Sequence, residues 1–88
     1  MSLAEDDILR GVSAVMHTTF GLPPGYLITA ETTSADIDGW DSLSHSILIL
    51  SIEEQFHIEL PTNRAFEVHD VGELMDLIEE ADGARGAD

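Results

Sequence analysis

The sequence predicts an all-α chain: three main helices, one short helix between the second and the last, and a long loop joining the first two. Three observations carry this. Apolar residues recur at helical spacing in three separate stretches. Gly, Pro or helix-capping residues bound each stretch. Nothing reads as a pair of strands, and there is no internal repeat.

The first helix is expected from Ser2, because "SLAE" puts Glu5 three residues after a serine, the spacing of a capping box. Asp6 and Asp7 fall in the first turns, where the helix dipole favours negative charge. Ile8, Val12, Val15, Met16 and Phe20 form its apolar stripe, and Gly21 with Pro23 and Pro24 ends it. The connection from Gly21 to Asp41 is long for a compact domain, and such loops are usually functional or tied down by their own side chains. Leu22, Tyr26, Leu27, Ile28 and Ile37 are the expected ties, while Trp40 at its end reads equally as packed or exposed.

The second helix is expected from Ser42 to about Phe56. On a wheel of about 100° per residue it has two apolar sides. His45, Leu48, Ile49, Ile52 and Phe56 form one, and Leu43, Ile47, Leu50 and Glu54 the other. A surface helix ordinarily has one apolar face. The second stripe is therefore either covered by the long loop and the short helix, or offered to partner proteins as an apolar strip rimmed by Glu53 and Glu54. Pro61 opens the short helix in "PTNRAFEV", with Phe66 as its expected anchor. "DVGE" is a second capping-box pattern, Asp70 with Glu73, before a last helix whose inner face is Val71, Leu74, Leu77, Ile78 and Ala81. The Gly/Ala-rich end reads as a flexible tail, giving a domain over 1–80 and a tail over 81–88.

At 88 residues the chain suggests one domain, and its 43% hydrophobic content is enough for a core. With 18 acidic and 3 basic residues the formal charge is −15, which argues against nucleic-acid backbones and for partners with basic patches, bound more weakly as salt rises. The absence of cysteine excludes disulfides and thiolate metal sites. No apolar run approaches the length of a membrane span, and no signal peptide is visible, so a monomer in the cytoplasm is the expectation.

Ser42 sits where a helix cap would sit, after Asp41, and either residue is suited to capping. A helix start also suits a phosphate, so the same hydroxyl suits attachment of a phosphorylated group. Asp41, Ser42 and His45 spell the letters of a hydrolytic triad, but His45 falls on the core side of the wheel and no oxyanion hole is evident. Ser34, Asp36, Asp38 and Gly39 fit part of a calcium loop, yet serine stands at its first position and His45 at its twelfth, so both anchoring carboxylates are missing. No enzymatic role and no metal site are expected. His17, His57 and His69 show no ligand spacing.

Taken together, "GWDSLSHSILILSIEEQFHIELP" resembles the modification site and second helix of acyl carrier proteins. The matching residues are Asp41, Ser42, Leu43, Glu53, Glu54, Phe56, Ile58 and Pro61, and the likeness runs over about residues 3 to 81. The resemblance implies a four-helix bundle. It implies that Ser42 is esterified with 4′-phosphopantetheine, taken from coenzyme A by a phosphopantetheinyl transferase, and that the arm's thiol carries acyl groups as thioesters. It implies that Asp41 and Leu43 are recognition positions flanking the attachment site. Ile47, Leu50, Glu53 and Glu54 would then be read by acyl-loading and acyl-transferring enzymes, and the apolar interior is a possible shelter for a bound chain. Ser44 and Ile47 stand where housekeeping fatty-acid carriers tend to have acids, and Trp40 is more like stand-alone carriers of specialised pathways. Cargo of a polyketide, modified acyl or aminoacyl type is therefore expected. Set against this is an acidic helical interaction module without a prosthetic group.

Overall fold

The computed structural model describes residues 4–86. Four helices follow in order: α1 (Glu5–Phe20), α2 (Ser42–Phe56), α3 (Thr62–Ala65) and α4 (Val71–Gly86). α1 packs on α2 and α4, and the short α3 leans on α4. Among the described residues there is no strand, only an isolated antiparallel bridge between Thr33 and Asp70.

α1 buries the expected Ile8, Val12, Val15 and Met16, with Phe20 half-buried against the same core. Its N-cap is Ala4, which makes no side-chain cap; the Ser2 of the expected capping box lies outside the described residues. At its other end Gly21 turns left-handed at φ 62°, and the Leu22 N–H reaches back to the His17 carbonyl at 3.1 Å. That is the Schellman closure glycine makes easily. α2 ends the same way with His57 in the left-handed position at φ 56°, and the Ile58 N–H bonds the Glu53 carbonyl at 3.1 Å.

The long loop is tied down largely as expected. Ile28 and Ile37 are buried, and Leu22 and Tyr26 pack on the core. Leu27 is not a tie: it is 79% exposed, because Ile28 takes the inward position beside it. The loop also caps α4. The Ala30 carbonyl accepts from the Gly72 N–H at 2.8 Å and the Thr32 carbonyl from the Val71 N–H at 2.9 Å, while Asp70 Oδ1 accepts from the Glu73 N–H at 2.8 Å. Three donors that a helix start leaves without helical partners are thereby satisfied. Glycine at 72 suits this approach, since a Cβ there would crowd the Ala30 oxygen at 3.0 Å. The expected "DVGE" cap forms, with Glu73 reaching back to the His69 N–H at 3.1 Å rather than to Asp70 itself.

Two expectations change in the second half. Phe66 does not anchor α3: it is 49% exposed, and Ala65 and Val68 are the residues that enter the core. A four-residue helix has room for one inward position, which Ala65 takes. The last helix does not stop at Ala81 but runs to Gly86. Ala81 packs on the core and Asp82 is buried, because both follow Ile78 at helical spacing. α3 is also pinned to α4 by a bidentate pair, Arg64 to Glu80 at 3.0 and 2.7 Å, and the guanidinium holds the Glu80 carboxyl below its ordinary value. Both groups are exposed, so the pair fixes geometry more than it adds stability.

Candidate functional site at the start of the second helix

The loop ends in "GWDS", and each residue has a separate task there. Asp41 is the N-cap of α2: its Oδ1 accepts from the Ser44 N–H at 3.0 Å. Ser44 completes a capping box, its Oγ accepting from the Asp41 N–H at 2.9 Å and donating to the Gly39 carbonyl. Gly39 has φ 89°, a conformation side chains resist, which lets the loop turn into the helix. The Ser44 N–H first, and its hydroxyl second, hold the Asp41 carboxyl below its ordinary value.

The cap is therefore built from Asp41 and Ser44. Ser42, the first residue inside the helix, is left out of it. Its side chain is exposed, and its hydroxyl makes no hydrogen bond among the described residues. The choice between Asp41 and Ser42 as cap is thus resolved in favour of Asp41. The signal was in the sequence as Asp41 and Ser44 at capping-box spacing, with serine in place of the usual Glu or Gln.

Beneath Ser42 lies an open cleft of about 240 Å³ lined by Ser34, Trp40, His45, Phe66 and Val68. Trp40 is buried and settles as a packed residue, its ring nearly coplanar with that of His45 and the centroids 6.0 Å apart. Its Nε1–H donates to His45 Nδ1 at 2.8 Å. His45 Nε2 lies 2.7 Å from the Ala65 carbonyl, which can only accept, so the imidazole proton is on Nε2 and Nδ1 is the acceptor. Both ring nitrogens are committed, and neither is free to serve Ser42 as a base. The sequence placed His45 inward but gave no sign of its partners; an indole N–H at the loop end, in need of an acceptor, was the available hint.

The calcium-loop residues point elsewhere. Asp36 Oδ2 accepts from the Thr33 N–H at 2.9 Å and from its hydroxyl at 3.2 Å. Among the described residues no group of three or more His, Cys, Asp or Glu is placed to share an ion. A larger hollow of about 460 Å³ between α1 and α2 touches Thr18, Thr19, Ser51, Glu54 and Gln55, more than two turns along α2 from Ser42.

The second stripe of α2 is exposed. Leu43, Ile47 and Leu50 are 74%, 49% and 62% accessible, and Glu54 is exposed beside them. Neither the loop nor α3 covers them. Glu53 is half-buried, and its Oε2 accepts from the Leu60 N–H at 2.8 Å, so part of this carboxylate serves the turn after α2.

The fold has a solved counterpart. The solution NMR structure of a holo acyl carrier protein from Geobacter metallireducens superposes with a TM-score of 0.77 at 32% identity, covering 91% of this chain and 90% of that one. The chain belongs to the acyl carrier protein family. An acyl carrier protein of Tropheryma whipplei (strain Twist) is 28% identical over 78 residues, which are 89% of this chain and 94% of that one. A chloroplastic acyl carrier protein of Brassica napus is 32% identical over 77 residues, 88% of this chain and 57% of that one. No family model matches the chain. No helix among the described residues of this acyl carrier protein is long and apolar enough to cross a membrane.

Proposed function

We propose that this acyl carrier protein holds 4′-phosphopantetheine on the Ser42 hydroxyl and presents acyl or aminoacyl groups to biosynthetic enzymes without performing chemistry on them. The observation that carries the proposal is the division of labour at the helix start. Asp41 and Ser44 cap α2, so the Ser42 oxygen is free to be esterified at no cost to the fold. The residues fit the group. The hydroxyl is exposed, it opens on a cleft, and the positive end of the α2 dipole favours the phosphate. When bound, the arm supplies the thiol that this cysteine-free chain lacks.

The chain's own residues position and display. Asp41 and Leu43 flank the attachment point, and Leu43, Ile47, Leu50 and Glu54 form the exposed face that a phosphopantetheinyl transferase and acyl-handling enzymes would read. The high acidity supports partners with basic docking patches. Absence of catalysis by the carrier is supported by His45, whose nitrogens are both held by Trp40 and Ala65.

The test is incubation with coenzyme A and a phosphopantetheinyl transferase, read by intact mass. The expected result is a gain of one phosphopantetheine, lost entirely in Ser42→Ala while the circular-dichroism spectrum is unchanged. An unmodified wild-type protein that still binds partners would instead describe a plain interaction module.

A further inference from the structure

Cargo tethered at Ser42 has two places to go: inward between the helices, or outward over the cleft. A row of rings stands across the inward way. Phe20 and Trp40 lie 5.8 Å apart, Trp40 and His45 stand edge to edge at 6.0 Å, and His45 meets Phe66 at 5.6 Å. The centre of the row is fixed by hydrogen bonds as well as by packing. The Trp40 Nε1–H holds one side of His45 at 2.8 Å, and the carbonyl of Ala65, the last residue of α3, holds the other at 2.7 Å. α3 is itself fastened to α4 through Arg64 and Glu80.

A hydrocarbon chain has no donor or acceptor. Its passage past His45 would leave the indole N–H, the imidazole nitrogens and the Ala65 carbonyl unpaired in a buried place, which is the expensive way to lose hydrogen bonds. The space above the row is about 240 Å³, below the ~300–1,000 Å³ of sites that enclose a drug-sized ligand. Its walls at Trp40, Phe66 and Val68 suit a small apolar group or a flat ring.

We propose that Trp40, His45 and the Ala65 carbonyl form a bar closing the way from Ser42 to the helical interior, so that this carrier keeps a short acyl group or a flat ring in the cleft and leaves longer chains in solvent. This rests on the carrier reading of Ser42. Trp40 and His45 are then positioning residues that set which cargo is sheltered. The bar gives the opposite expectation from a family-type interior that shelters a chain.

The experiment compares full-length protein loaded with acetyl or octanoyl thioester, after intact mass has verified the arm. Two readouts are taken: the rate of thioester cleavage by hydroxylamine, and the NMR position of the Trp40 indole proton. The bar predicts that octanoyl is cleaved at least as fast as acetyl, since only the short group is kept in the cleft, and that the indole resonance with octanoyl is the same as with the unloaded arm. Octanoyl cleaved more than about tenfold slower than acetyl, with the indole resonance displaced, overturns the bar. In His45→Ala the octanoyl thioester becomes the slower of the two; equal rates in a folded variant would equally overturn it. Trp40→Phe, which keeps a ring and removes only the donor, replaces that variant if it does not fold. Failure to acquire the arm at all defeats the carrier reading and the bar with it, whereas slow octanoyl cleavage defeats the bar alone.

Discussion

The two sides of α2 are built from the same kinds of residue and have opposite fates. Leu48, Ile49 and Ile52 are buried in the core, while Leu43, Ile47 and Leu50 stand in solvent on the other side. Composition cannot tell them apart, and the helix as a whole is barely amphipathic. What separates them is supply: α1 and the shared core cover one side, while Leu43, Ile47 and Leu50 on the other are left exposed. An exposed row of large apolar side chains is costly in a free monomer unless something uses it. The difference teaches that the inner row serves stability, and on the function proposed above the outer row serves encounters with partners.

Truncation should break the comparison most visibly. Ile52→Ala, at a fully buried position, is expected to destabilise by about 2–5 kcal/mol in urea or thermal unfolding. Leu50→Ala, on the outer row, should stay within about 0.5 kcal/mol of wild type. Equal losses at the two positions would mean that the outer row is core after all.

Function should divide the other way. Ile47→Glu is expected to lower turnover by partner enzymes by roughly tenfold or more, as removal of an interface contact worth over 1.4 kcal/mol does, with the helical circular-dichroism signal nearly intact. Ile47 has about half its surface exposed, so its change to glutamate should cost the fold little. Collapse of the helical signal would return this residue to the core.

The smallest effect belongs to the helix start. Asp41→Ala should lower the melting temperature modestly at neutral pH by removing the acceptor for the Ser44 N–H. Because that hydrogen bond depresses the Asp41 carboxyl, its stabilisation is fully present above the ordinary value of 3.8 and is lost as pH falls through the depressed one. The gap between wild type and variant should therefore close on acidification below 3.8, measured by thermal melts across pH. A gap independent of pH would mean that the carboxylate charge contributes nothing to the cap.

Much of this was legible in the residues. The stripes of α1 and α4 and the bounds of α2 follow from periodicity and punctuation, and the fold family from the resemblance carried by Asp41, Ser42 and Leu43. Three things were not legible, for physical reasons. Leu27 and Phe66 look like anchors because large apolar residues usually are, but each has a neighbour that takes the single inward position available. The extension of α4 through Gly86 depends on Ala81 and Asp82 meeting the core, which glycine-rich composition conceals. The bond from Trp40 to His45 crosses from the loop into the helix and reaches on to α3, so only the folded chain brings its three partners together.

Every role assigned to α2 depends on a serine that its own helix does not need. The direct measurement is fragment-level mass spectrometry of the protein isolated from its native cell. The expected result is one phosphopantetheine, with or without cargo, on the fragment that contains Ser42 and on no other. The same group on Ser44 or Ser46, or a chain that never carries it in cells supplied with coenzyme A, would contradict the account.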